Sequence, residues 1–248
     1  MTRRAWVLLA GLWAVVAAHG QDLRGFVRYG PAEGLPSNVL TRVLQDRRGL
    51  LWIGTQEGLV RFDGNTFRPF PADAEHPHAL GDPFVRALAR DDGDGFYVGT
   101  SLGGLQHFDA RSERFTRIPL GPRGDSPVRA LLTQPGVVWA ATRDGLFRYD
   151  ARRHQAVRME RSEDVEVLAA GLHGEVWAAS AGALFRSDIP GGLRKVPLPA
   201  GTRGLTSILF QPDGTMWLGT DGGVLVGHPG GPFRLRLASA PVSSRWSR

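Results

Sequence analysis

The sequence predicts an all-β chain assembled from repeated four-stranded antiparallel units. Three observations carry this: a five-fold internal repeat, short apolar runs separated by turn residues, and the lack of helical periodicity. With 33 Gly, 17 Pro, 42% hydrophobic and 22% charged residues, the 248-residue chain reads as globular and turn-rich rather than disordered.

From the N-terminus, Thr2, Arg3 and Arg4 precede an apolar run over residues 5–18. That run is shorter than the ~20 residues a membrane-spanning helix needs, and small residues, Ala18 at its end and Gly20 beyond it, suit the positions just before a cut. Residues 1–20 therefore read as a signal peptide cut after Gly20. The mature chain is expected in the periplasm or outside the cell, with no later membrane helix.

The repeat is anchored by an aromatic followed by a small-residue step. It reads Trp52-Ile53-Gly54-Thr55, Tyr97-Val98-Gly99-Thr100, Trp139-Ala140-Ala141-Thr142, Trp177-Ala178-Ala179-Ser180 and Trp217-Leu218-Gly219-Thr220, at intervals of 45, 42, 38 and 40 residues. An apolar run and a turn precede each copy, as at Asp46 to Gly49 or Pro212-Asp213-Gly214. A second turn, an alternating stretch such as GLVRFD or GLFRYD, and a more variable fourth stretch follow. Four short strands recurring about every 40 residues are the signature of a β-propeller blade. Five blades are expected, at about residues 31–70, 71–118, 119–159, 160–198 and 199–237, followed by an irregular tail at 238–248.

In a strand, residues i and i+2 share one face, so each aromatic lies beside the small residue two positions on. Trp52, Tyr97, Trp139, Trp177 and Trp217 are accordingly expected in the core between blades rather than at a ligand. Phe26 to Tyr29 has the fourth-strand pattern but no blade of its own, since residues 231–237 already fill the fifth. The ring is therefore expected to be incomplete, and the chain to be a truncated or frameshifted gene product or a fragment.

The formal net charge of +6 comes from arginine, Lys195 being the only lysine, and the arginines are scattered singly through the repeats. A nucleic-acid partner is not expected from that pattern. With no cysteine there are neither disulfides nor thiolate metal sites. Phosphate-loop, dinucleotide, HExxH and GxSxG motifs are missing, so no cofactor, metal or catalytic group is assigned. His76 and His78 read as a loop pair, and Asp91, Asp92 and Asp94 as a turn without the glutamate a calcium loop needs.

Residues 34–67, GLPSNVLTRVLQDRRGLLWIGTQEGLVRFDGNTF, resemble the two-component regulator propeller repeat, and QPDGTMWLGTDGG at 211–223 resembles it again. The third and fourth copies depart from it, with Ala141 and Ala179 where glycine is usual. The resemblance implies the periplasmic sensor region of a bacterial hybrid histidine kinase or diguanylate cyclase, here without its effector and pairing as a homodimer when full-length. The competing readings are a streptogramin-lyase-like propeller enzyme, which would need His76 and Glu57 to converge, and a protein-interaction scaffold.

A ligand would sit on the face carrying the loops between fourth and first strands and the turns between second and third. Gln56, Glu57, Arg143, Asp144 and Asp221 occupy those turns. Arg42, Arg86 and Arg129 are expected to share one register of the innermost strands, with Glu166 and Ser207 at that place in the last two blades. An arc of arginines there would favour an anionic ligand such as an acidic oligosaccharide.

Overall fold

Alternation of side chains across each strand sets what a blade can bury, and the repeat meets that requirement five times. The computed structural model describes residues 27–160, 162, 164–188 and 192–238. Five separate four-stranded antiparallel sheets follow one another along the chain, each with its strands in sequence order from the inside outward. The one helical feature among the described residues is a single 3-10 turn at Pro31–Glu33.

Blade one comprises β1 (Leu40–Gln45), β2 (Leu51–Thr55), β3 (Gly58–Phe62) and β4 (Phe67–Phe70). Blade two comprises β5 (Val85–Arg90), β6 (Phe96–Thr100), β7 (Leu105–Asp109) and β8 (Arg114–Ile118). Blade three comprises β9 (Val128–Gln134), β10 (Val137–Thr142), β11 (Gly145–Asp150) and β12 (Gln155–Arg158). Blade four comprises β13 (Val167–Ala170), β14 (Val176–Ser180), β15 (Ala183–Asp188) and β16 (Gly192–Val196). Blade five comprises β17 (Ser207–Phe210), β18 (Met216–Thr220), β19 (Gly223–Gly227) and β20 (Arg234–Ala238).

Innermost strands touch neighbour to neighbour, β1 with β5, β5 with β9, β9 with β13 and β13 with β17. No comparable contact joins β17 to β1 among the described residues. The blades thus form an arc whose two end faces are not covered by each other.

The core lies between blades. Trp52 packs with Phe96 and Phe108 at ring separations of 4.8 and 4.9 Å, in one cluster with Leu59, Leu80, Val85 and Val98. Each large apolar side chain buried this way contributes on the order of 1.5–3 kcal/mol. Tyr97, Trp139 and Trp177 are likewise buried between blades. Trp217 is only half-buried, no further blade packing against it among the described residues. The small residue beside each aromatic gives the next blade room. A Cβ on Gly54 would lie 2.8 Å from Cγ1 of Val85.

Two expectations need correction. Residues 27–29 form no strand; Tyr29 folds over blade one instead, its ring 5.3 Å from Phe62 and 5.4 Å from Phe67. Ala238 belongs to β20 rather than to an irregular tail. The expected signal peptide, Phe26 and residues 239–248 lie outside the described residues.

Candidate functional site

The turn between second and third strands is built by one device in four blades. A threonine ending the second strand turns its hydroxyl to the carbonyl of the glycine at, or in blade two just before, the start of the third. The pairs are Thr55 with Gly58 (2.9 Å), Thr100 with Gly104 (3.2 Å), Thr142 with Gly145 (2.7 Å) and Thr220 with Gly223 (2.8 Å). Gly145 has φ 128°, a region side chains with a Cβ rarely adopt, so the turn requires glycine there. Blade four has Ser180 and Ala183 at these places.

The blade-three turn is tied to the loops that enter blades three and four. Arg143 N–H donates to the carbonyl of Pro127, and Asp164 N–H to that of Arg143. Ser126 Oγ donates to Oδ2 of Asp144 across 2.5 Å. These bonds fix the backbone on which Arg143 and Asp144 project outward.

Between blades three and four the face sinks into a depression of about 540 Å3, lined by Arg129, Arg143, Asp144, Arg158 and Asp164. Arg129 Nη1 lies 2.7 Å from Oδ1 of Asp164 and 2.9 Å from Oε1 of Glu166, so two carboxylates already neutralise it. Arg158 Nε donates to the backbone carbonyl of Asp144 across 2.6 Å. The Arg143 guanidinium is exposed and meets no carboxylate among the described residues. The site therefore offers one open fork of donors beside carboxylates that accept hydroxyl protons.

The expected three-arginine register is corrected by the β-bulges. Val85 pairs with Thr100 and Ala87 with Gly99, which leaves Arg86 in the bulge; Arg129 stands in the same place between Val128 and Ala130. In blade one Leu40 pairs with Thr55 and Arg42 with Gly54, so the bulged residue is Thr41. Arg42 is one position on and its Nη1 donates to the Thr41 carbonyl. Glu166 does share the place of Arg129, but Ser207 pairs with Gly219 and leaves it to Thr206. Arg86 bonds Ser101 Oγ across 2.6 Å with its guanidinium 4.7 Å from the Phe84 ring.

Of the other expected site residues, Gln56 and Glu57 project from the blade-one turn, away from the depression. Asp221 lies in the blade-five turn, where its carboxylate lies against Gly204. Arg158 and Asp164 were not signalled by the repeat, because they are the end of a fourth strand and a residue of an entry loop. His76 Nδ1 sits 2.6 Å from Oδ2 of Asp73, so the His76 and Glu57 pairing that a lyase would need is not formed. Asp91 Oδ2 meets His107 Nε2, Asp92 Oδ2 accepts from Gly136 N–H, and Asp94 Oδ2 accepts from Arg111. Those three carboxylates diverge, and no cluster able to hold a metal occurs among the described residues.

Residues 34–57 match the family model of the two component regulator propeller. A curated relative, histidine kinase P4 of Formosa agariphila, is 38% identical over 50 residues, 20% of this chain and 4% of that protein. Among solved structures, the extracellular domain of a one component system from B. thetaiotaomicron superposes with a TM-score of 0.71 at 21% identity, over 83% of this chain and 29% of that one. The extracellular domain of a hybrid two component system from the same organism gives 0.58 at 17% identity, over 86% and 37%. Virginiamycin B lyase from Staphylococcus aureus gives 0.65 at 12% identity, over 79% and 69%. At these identities the structures share the propeller fold with this chain.

Proposed function

Proceeding from a chain whose first blade carries a two component regulator propeller repeat, we propose that it is a ligand-sensing propeller module of an exported signalling receptor and is not an enzyme. Its ligand is an acidic oligosaccharide bound in the depression between blades three and four. The observation that carries this is the pairing pattern there: Arg129 is neutralised by Asp164 and Glu166, whereas Arg143 faces solvent with no carboxylate of its own among the described residues. A guanidinium left open in this way presents the planar fork that a sugar carboxylate fills bidentately. Asp144 and Asp164 beside it accept hydroxyl protons, so one acidic sugar ring satisfies both kinds of group.

Calorimetric titration with a galacturonic acid trimer and a galactose trimer tests the reading. Binding of the acidic trimer alone, weakened about ten-fold in Arg143→Gln, is the expected result. Equal binding of both trimers, or an Arg143→Gln variant with undiminished affinity, overturns it.

A further inference from the structure

The depression between blades three and four recurs at the next junction, and the repeat places a cation at the rim of both. Register through the sheets fixes the correspondence. Ala140 pairs with Phe147, and Phe147 with Arg158. One blade on, Ala178 pairs with Phe185, and Phe185 with Lys195. Lys195 therefore stands in blade four where Arg158 stands in blade three, each at the end of the outermost strand or one residue before it. Blade two has Arg117 at this place, while blades one and five have Pro69 and Leu235.

The surroundings repeat too. Asp144 and Arg158 line the first depression, and their counterparts Gly182 and Lys195 line a second, of about 460 Å3, where the chain passes from blade four to blade five. Its wall is held by the backbone: Thr202 Oγ1 donates to the Pro199 carbonyl across 2.7 Å, and Gly204 N–H to that of Ala181 across 2.6 Å. The side chains differ. Ala181 and Gly182 stand where blade three has Arg143 and Asp144, so this turn contributes neither charge nor bulk. Val196, Leu198 and Pro199 make the lining apolar, and Lys195 supplies the charge. Arg117 and Arg158 donate to the carbonyls of Ala74 and Asp144, whereas Lys195 is exposed and its side chain meets no partner among the described residues.

We propose that the acidic oligosaccharide extends past the first depression into the second, so that one chain sets an acidic sugar at Arg143 and a later one at Lys195. This rests on the reading already given for the first depression. Both cavities open on the same face, at successive junctions, so the second contact is made by a ligand already held at the first and adds affinity without a second encounter.

The two cavities divide the recognition. Arg143, with Asp144 and Asp164 beside it, orients a carboxylate and its neighbouring hydroxyls. Lys195 offers a compact point charge beside an apolar wall, which holds a carboxylate without fixing its plane and covers the C–H face of a sugar ring. A nucleic acid strand fits this surface less well, because none of the residues lining either cavity is an aromatic on which a base stacks.

Calorimetric titration of the intact chain, Lys195→Gln and Arg152→Gln with a galacturonic acid trimer and a dodecamer tests this. Arg152 is exposed in the turn between β11 and β12, on the opposite face, and controls for the loss of one positive charge. Lys195→Gln should weaken the dodecamer about two- to five-fold and leave the trimer and thermal unfolding unchanged. Arg152→Gln should change none of these. Because Lys195 is the only lysine, acylation of its amine, followed by mass spectrometry, gives a second measure. The dodecamer should slow that reaction and the trimer should not. A trimer that does not bind the intact chain overturns the reading of the first depression. Trimer binding with undiminished dodecamer affinity in Lys195→Gln, or with unslowed acylation, overturns the extension alone. So does equal weakening of trimer and dodecamer in Lys195→Gln, equal weakening of the dodecamer in Arg152→Gln, or a single-stranded DNA dodecamer that binds as tightly as the sugar.

Discussion

The indole nitrogen of Trp52 donates to Oδ2 of Asp46 across 3.1 Å, joining the residue that fills the gap between blades one and two to the turn that positions it. Oδ1 of the same carboxylate accepts from the backbone N–H groups of Arg48 (2.9 Å) and Leu50 (3.0 Å). One buried side chain thus closes the hairpin and orients the core aromatic. Burial alone would raise the Asp46 pKa, but the Trp52 bond, the two backbone bonds and the nearby Arg48 charge outweigh it and hold the carboxyl below its ordinary value of 3.8.

Replacing Asp46 with alanine should cost about 1–3 kcal/mol, because three donors lose their acceptor in a largely buried place. The sign of the pH dependence follows from the lowered pKa. Stability from this group is complete above the unfolded pKa and is lost as pH falls through the folded one. Urea unfolding of the parent and of Asp46→Asn at neutral pH and at acid pH should therefore show a difference that shrinks on acidification. A constant difference would mean that the charge of Asp46 contributes nothing beyond its shape.

At Gly54 blade two comes close to blade one. A Cβ there would lie 2.8 Å from Val85 Cγ1 and 2.9 Å from Thr41 Oγ1, so Gly54→Ala should destabilise by about 1–3 kcal/mol through forced separation of the blades. Ala141 and Ala179 already carry a Cβ at this place in blades three and four, both fully buried. Chemical denaturation of Gly54→Ala should show a lower midpoint with an unchanged slope.

Thr142 is fully buried, and its hydroxyl both donates to the Gly145 carbonyl and accepts from Asp144 N–H at 3.1 Å. Thr142→Val keeps the shape and leaves both backbone groups without that partner. A loss of about 1–3 kcal/mol is expected, with a parallel loss of ligand affinity because Arg143 and Asp144 sit in this turn. Thermal unfolding and trimer titration on the same preparation check the two effects together.

The second strands were legible because three residue types each do something physically distinct there. The large aromatic fills the core, the small residue leaves a notch for the next blade, and the threonine caps the turn. All five signatures, from Trp52 to Thr55 onward, fall on second strands as expected. The arginine register was not legible. Aligning Arg42 with Arg86 matches residue type, whereas the bulges make Thr41 the counterpart of Arg86, and a bulge leaves no mark in the alternation of VLTRVL. Asp164 was missed for another reason. It follows the variable fourth strand, and backbone bonds from Asp164 and Val165 to the carbonyls of Arg143 and Thr142 bring it to Arg129.

Those separate placements give the three arginines three separate outcomes. Arg42 is exposed and donates to the carbonyl of its own neighbour Thr41, so Arg42→Gln should change neither stability nor ligand affinity. Arg86 is held by Ser101 and Phe84 outside the depression, so Arg86→Gln should act on an anionic ligand only at long range. That effect should vanish once salt shortens the Debye length to about 3 Å at 1 M. Arg129 has its side chain 24% exposed and bridges blade three to Asp164 and Glu166, so Arg129→Gln should cost about 0.2–1 kcal/mol per exposed pair. It should also free two carboxylates beside Arg143 and weaken an acidic ligand by repulsion. Melting temperature and trimer affinity measured for the three single variants at low and high salt separate these cases. Equal losses of affinity in all three would restore a shared arc of cations and remove Arg143 from its special place.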